Sequence, residues 1–297
     1  MCRGFAWHGV DGAMSFLEKI KACNTWNPQD FLPFLLDGER IGSLRAPAAE
    51  QLRRWPDRFQ CADDGVRWVG APADFAGRTA VLSEVVQRLA EEGGVSHLHG
   101  ELYPVTANRR EQACCLIDRA AAPFFGMRAF GQHLNGFVRT PRGIEMWIGR
   151  RSANRRLYPR CLDHLVAGGL PHGLTLAENL RKECAEEAGM SAELADRAVP
   201  VGAVTYCRDS ERGLKPDVMY CYDLELPEEF EPRCTDGEVE TFYRMPVEEV
   251  RELVRDTGEF KLNCNLVIID FLIRHGLIPQ NDPEYLAILR GLRADLP

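Results

Sequence analysis

Several absences narrow the field before any motif is considered. The 297-residue chain has no run approaching the roughly 18 uncharged apolar residues that a membrane span needs. Its opening, MCRGFAWHGVDG, lacks the charged start and apolar stretch of a secretory leader, so a soluble, cytoplasmic protein with no membrane partner is expected. Its 11 cysteines include no CxxC pair and their number is odd. That argues against a zinc ribbon and against a complete disulfide framework, and most of these thiols should be buried. Basic residues are also in short supply, 36 against 44 acidic ones, for a net charge of −8. Nucleic-acid binders carry a basic footprint, so no nucleic-acid partner is expected, although a local basic pocket is compatible with this total. No GxxxxGK[ST] phosphate loop is present, which leaves kinase chemistry without its usual cradle. There is neither an internal repeat nor a low-complexity tract.

What is present suits two packed domains. The length exceeds one typical domain and 45% of the residues are hydrophobic. Residues near 14–23 (MSFLEKIKAC) form an expected helix with Ser15 and Glu18 spaced as a capping box, and anything before Met14 is expected to be a loose extension. Between about 30 and 125, short strand-like runs surround one clear helix. In it Val81, Leu82, Val85, Val86 and Leu89 recur at helical spacing, and Gly93–Gly94 ends the pattern. AAAPFFG (120–126) marks a junction too short for a free linker, which divides the chain at 1–125 and 126–297. Beyond it, HLNGFVRT and GIEMWIGRR flank a Pro141–Arg142–Gly143 turn as a hairpin. VPVGAVTYC and DVMYCYDLEL form a second strand pair, and VEEVRELVRDTG and LVIIDFLIRHG are expected helices.

The informative stretch is GGLPHGLTLAENLRKECAEEAGM, Gly168 to Met190, a glycine-rich turn running into a helix. Thr175 and Glu178 make a capping box and Gly189 sits at a left-handed stop, so the helix should span Leu176–Ala188. Leu176, Leu180, Cys184 and Ala188 form its inner face. Glu183 and Glu187 then share a neighbouring face, with Glu186 beside them. Carboxylates crowded at a helix C-terminus oppose the dipole at a cost of about 0.3–1 kcal/mol each. A hard divalent cation would offset that cost, since magnesium takes a few carboxylate oxygens together with phosphate oxygens and water. A solvated acidic face, with Lys182 reaching Glu186, is the alternative.

These residues resemble the Nudix box: glycine, five residues, glutamate, seven residues, then arginine, glutamate, an apolar residue, any residue, two glutamates, any residue, glycine and an apolar residue. Gly168, Glu183, Cys184, Glu186, Glu187, Gly189 and Met190 fall on that register without gaps. Leu174 stands where the box has its first glutamate and Lys182 where it has arginine. Leucine binds no metal, and lysine keeps the charge without the planar fork. The resemblance implies an α/β (α+β) Nudix fold, a mixed sheet between helices. It also implies that Glu183, Glu186 and Glu187 hold Mg2+, with Mn2+ as a substitute. FGMRAFGQHLNGFV, MWIGRRS, LDHLVAGGLPHG and FKLNCNLVIIDFLIRHG extend the resemblance, over about residues 30–280, to the Nudix branch related to thiamine pyrophosphokinase. That branch carries a smaller N-terminal α+β domain, and some members hydrolyse thiamine diphosphate or its oxo and oxy forms to the monophosphate.

The resulting expectation is a diphosphate hydrolase whose attacking water loses its proton to a box glutamate, Glu238 or Glu240. Lys182 supports the carboxylates, while Gly168, Gly169, His172, Arg150 and Arg151 are the candidates for substrate binding. Nucleoside diphosphate derivatives such as ADP-ribose are the competing substrates. A non-catalytic ligand-sensing module is the competing class, prompted by Leu174 and Lys182. The partner expected is a small diphosphate, and a homodimer would also fit. His133 and Asn135 suit a satisfied structural pair better than a ligand, His97 and His99 a surface role, and Cys114 and Cys115 no joint function. Tyr206, Tyr220, Tyr222, Phe242 and Tyr243 suit packing better than a wall for a flat heterocycle.

Overall fold

A computed structural model describes residues 15–297, so the expected extension before Met14 lies outside the described residues. The chain begins with helix α1 (Phe16–Cys23), capped by Ser15, whose hydroxyl accepts from the Glu18 N–H. The N-terminal domain follows with strands β1 (Phe31–Leu36) and β2 (Glu39–Arg45), helix α2 (Ala46–Leu52) and strands β3 (Phe59–Ala62) and β4 (Gly65–Trp68). Helix α3 (Phe75–Glu91), the hairpin β5 (Leu102–Val105) and β6 (Cys115–Asp118), and the short α4 (Ala122–Phe125) complete it. A four-stranded sheet in the order β2-β1-β4-β3 and the separate β5-β6 pair enclose a core in which Leu82, Val85, Val86 and Leu89 of α3 are buried. These are the residues whose spacing predicted the helix.

The C-terminal domain contains β7 (Ala129–Thr140), β8 (Gly143–Arg151), β9 (Leu162–Asp163) and β10 (Val166–Gly169), followed by helices α5 (Leu176–Ala188) and α6 (Ala192–Ala195). It continues with β11 (Val199–Ser210), β12 (Gly213–Glu225), β13 (Val239–Pro246), α7 (Val247–Asp256), α8 (Cys264–Arg274) and α9 (Tyr285–Gly291). The sheet is ordered β11-β12-β7-β8-β13, with β10 paired to β7 and β9 to β8. β12 runs parallel to β7 while the neighbouring pairs are antiparallel, which makes the sheet mixed.

Period-two alternation divides the strand side chains between two cores. Phe137, Met146, Ile148, Met219 and Cys221 face the helices α1, α7, α8 and α9. Leu134, Val138, Tyr222 and Leu224 face α5 with Leu180, Cys184 and Ala188. The sheet is therefore sandwiched between helices, as the resemblance implies. The expected hairpin lies at β7-β8 and the expected second strand pair at β11-β12.

Two features bind the domains together. At the junction, Gly126 takes a left-handed φ of 59°, and a Cβ there would approach the Ser43 carbonyl oxygen to 2.0 Å. Glycine meets both demands. Helix α1, first in the sequence, packs into the C-terminal core through Phe16, Ile20 and Cys23 rather than into the domain that follows it. Ile20, 2% exposed, lies against Gly291 of α9. Ile20→Ala should therefore cost about 2–5 kcal/mol, the usual range for truncating a core aliphatic. Urea unfolding followed by Trp fluorescence should show a lowered midpoint. An unchanged midpoint would contradict the placement of α1.

Candidate active site

The site is built on β10 and α5, whose ends are fixed by local chemistry. At the start of α5 the Thr175 hydroxyl accepts from the Glu178 N–H at 3.2 Å, while the Glu178 carboxylate accepts from the Thr175 N–H at 2.8 Å. At its end Gly189 turns left-handed and donates to the Ala185 carbonyl. The last carbonyls are also claimed from outside the helix, because Arg233 N–H donates to Ala188 O and Thr235 N–H to Glu186 O. Orphan acceptors at the helix terminus thus hold the loop at 233–240 beside the glutamates. Inside, buried Asn179 donates to Gly169 O at 2.9 Å and to Gln132 Oε1 at 2.8 Å, tying α5 to β10 and β7.

This frame brings Gly168, Glu183, Glu186 and Glu187 together. A Cβ on Gly168 would come 2.2 Å from Cδ of Glu183, so hydrogen is all the strand can present there. Glu187, 6% exposed, accepts from the Ala167 N–H at 2.7 Å. Burial pushes its carboxyl well above the ordinary range against that hydrogen bond, and the nearby Asp163, Glu183 and Glu238 carboxylates add to the rise. Burial also raises Glu183, which Lys182 partly offsets. Lys182 donates to Glu186 at 2.7 Å and to Glu183 at 3.2 Å. Burial alone would lower its ammonium, but these carboxylates raise it above the usual lysine value. The solvated-face contact foreseen for Lys182 is real, yet it satisfies only part of the acidic cluster. Glu183 and Glu187 thus turn carboxylates from one helix onto the glycine strand, and such oxygens are the donor type that a hard divalent cation takes.

The other candidates are dispersed. Glu238 pairs with Arg155, and its N–H donates to Asp236 at 2.8 Å, placing it on the loop held by Thr235. Glu240, the second residue of β13, lines a cavity of about 450 Å³. His172 donates its N–H to Leu102 O at 2.8 Å, and its ring centroid lies 5.6 Å from that of Phe75, so it is bound to the N-terminal domain. Arg150 donates to the Tyr243 hydroxyl at 3.1 Å and to Arg160 O at 2.8 Å. Arg151 spends its donors inside the fold on Asp163, Leu157 O and Tyr158 O. The arginine run before the box thus supplies internal struts at these two positions.

Arg151 leads to a network that the sequence did not disclose. Asp163 accepts from Arg151 at 2.8 Å and Lys261 at 3.1 Å, and the Cys264 thiol donates to it at 2.7 Å. His133 and His164 share a hydrogen bond at 3.1 Å between their Nδ1 atoms. His133, Asp163, His164 and Cys264 present ligand atoms within 4.8 Å of one another, close enough to hold a metal ion. However, two cations already neutralise Asp163, and Cys264 is a thiol raised well above its ordinary value, first by burial. Asn135 donates to Asp223, so His133 and Asn135 join buried structural networks rather than one pair. His97 and His99 are partly or fully exposed. Most cysteines among the described residues are buried.

A mixed sheet between helices, with a glycine strand packed on an acidic helix terminus, is the arrangement expected of a hydrolase of phosphoanhydride bonds. The chain belongs to the Nudix hydrolase family. A NUDIX domain model matches residues 134–264, and a domain of unknown function, DUF4743, matches residues 15–129. Nudix hydrolase 20 of Arabidopsis thaliana, named as chloroplastic, is 41% identical over 98% of this chain and 80% of its own length. Nudix hydrolase 24 of the same plant is 42% identical over 94% of this chain and 77% of its own. Among solved structures, DR0079 from Deinococcus radiodurans covers 57% of this chain and 95% of its own at 20% identity, with a TM-score of 0.41.

Two tests follow from this geometry. Gly168→Ala should lower turnover at least about tenfold with little loss of stability, because the added methyl displaces the flexible Glu183 side chain rather than backbone. Steady-state rates beside a thermal melt check this, and unaltered turnover would contradict it. Asp163→Asn leaves Arg151 and Lys261 buried without their anion, at a cost of about 3–5 kcal/mol. Burial alone would raise Asp163, but Lys261, His164 and Arg151 hold it well below the ordinary range. Its contribution is therefore complete above the unfolded value of about 4 and fades as pH falls below it. The variant should lose most stability at pH 7 and less at pH 3; equal losses at both would refute the assignment.

Proposed function

We propose that the protein is a magnesium-dependent hydrolase of thiamine diphosphate or its oxidised oxo and oxy analogues, releasing the monophosphate and phosphate. Glu183, Glu186 and Glu187 would hold the ion, with Mn2+ as a substitute, and the Gly168–Gly169 strand would let the diphosphate lie close to them. When bound, magnesium neutralises charge on the diphosphate and lowers the pKa of water. Carboxylates of this chain orient the water and accept its proton, and the candidates are Glu187, Glu238 and Glu240.

The observation that carries this reading is the packing of Glu183 and Glu187 against Gly168 and Ala167, which buries two carboxylates of which Lys182 pairs only Glu183. The substrate class draws on the resemblance to the thiamine-pyrophosphokinase-related branch, including its N-terminal domain. It also draws on the cavity beside the loop at 233–240. That cavity is lined by Trp147 and Phe242 together with Glu231 and Glu240. The Trp147 indole N–H is buried without a hydrogen-bond partner. Aromatic faces flanked by carboxylates favour a flat cationic heterocycle such as a thiazolium. The volume, about 450 Å³, is within the range of small-molecule sites.

A panel of thiamine diphosphate, its oxo form, ADP-ribose and other nucleoside diphosphates with magnesium tests the assignment. Release of thiamine monophosphate should be fastest and should stop when EDTA removes the metal. Much faster turnover of ADP-ribose would overturn the substrate and keep the reaction. Tight binding with no turnover at any divalent ion would instead favour a sensing module, the role suggested by Leu174 and Lys182. Glu186→Gln or Glu187→Gln should cut kcat at least about a hundredfold with near-normal folding, and near-normal turnover would remove the glutamates from the mechanism.

A further inference from the structure

The N-terminal domain reaches β10 through Tyr103 of the hairpin β5-β6 and through Glu101 and Arg119, which flank it. A Cβ on Gly169 would come 2.0 Å from the Tyr103 hydroxyl oxygen and 3.3 Å from Cζ of Arg119. Gly168, the preceding residue, is covered in the same way by Glu183. One two-residue step of β10 thus lies between a box glutamate and a guanidinium from another domain.

Arg119 is oriented rather than loose. It donates to the Glu101 carboxylate at 2.7 Å, and its Cζ lies 5.6 Å from the Tyr103 ring centroid. Tyr103 is 4% exposed and forms a fixed platform, while the arginine side chain keeps 38% of its exposure. A guanidinium carries five donors in a planar fork, so the bond to Glu101 leaves edges available to a ligand. Burial lowers its proton affinity, but its neighbours, among them the Glu101 and Glu183 carboxylates, raise it overall, so the group is a permanent cation within the field of Glu183. The demand for such a cation is clear. Lys182 is engaged by Glu183 and Glu186, Arg150 is held at the sheet edge by Tyr243 and the Arg160 carbonyl, and Arg151 is turned into the fold.

We propose that Arg119, presented by Glu101 and Tyr103, is a phosphate-binding residue that the N-terminal domain contributes to the hydrolase site, gripping a phosphate of the substrate at Gly169. This rests on the hydrolase reading above. It also gives the N-terminal domain a chemical role: the Nudix domain alone would lack one of the cations facing its substrate.

Calorimetric binding of methylenediphosphonate with magnesium to the full chain tests the idea without turnover. Arg119→Ala should weaken binding roughly ten- to hundredfold, as expected for a charge-assisted pair, and should raise KM more than it lowers kcat. Arg119→Lys should recover only part, because the ammonium lacks the fork. Glu101→Gln loosens the arginine while keeping it, and should weaken binding severalfold; this variant carries the test if Arg119→Ala does not fold. Mn2+ binding, followed by electron paramagnetic resonance, should be unchanged in all three. Equal methylenediphosphonate affinity in wild type and Arg119→Ala, or full recovery by Arg119→Lys, would overturn the proposal and leave the hydrolase reading intact. A wild-type protein that binds neither Mn2+ nor methylenediphosphonate would overturn both.

Discussion

Burying a carboxylate against a strand is costly unless something positive shares the space, and much of this molecule is organised around that constraint. Glu187 sits almost fully buried on the Ala167 N–H, and Glu183 occupies the room left by Gly168. For both to stay there, α5 must end where it does, so the capping box and Gly189 define its length to the residue. The same terminus then recruits Arg233 and Thr235 through its unpaired carbonyls. That contact brings Glu238 near the cluster, so a helix-capping requirement determines the position of the loop that leads into β13.

The two departures from the Nudix pattern take on a physical meaning in this setting. Lys182, in place of arginine, still bridges two of the glutamates, so the charge survives although the planar fork is lost. Leu174 offers no carboxylate, but its carbonyl and that of Pro171 each accept from Arg110 at 2.6 Å. With the Leu102 carbonyl holding His172 and Tyr103 against Gly169, the N-terminal domain grips the glycine turn at several points.

Beneath the site, the Asp163 network illustrates how burial changes what a residue can do. Asp163 is shared by the cations Arg151 and Lys261, with Cys264 and His164 completing the hydrogen bonds around the carboxylate. Arg151 belongs to a basic run that suits phosphate recognition, yet strand alternation turns it inward while Arg150 remains at the edge. Side-chain direction on a strand depends on register, and register was settled by the β8-β9 and β8-β13 pairings.

Local periodicity and capping therefore determined a good deal in advance. The bounds of α5, the two hairpins of the C-terminal sheet and the grouping of Glu183, Glu186 and Glu187 all follow from contacts three or four residues apart, or from turn residues between alternating strands. Those interactions are written in consecutive residues, so one sequence discloses them. The placement of α1 in the C-terminal core, the inward turn of Arg151 and the approach of Tyr103 and Arg119 to Gly169 were decided only by the tertiary structure. Each joins residues more than ten positions apart through packing and register, and an amphipathic stripe or a charged side chain does not specify the partner against which it will be buried.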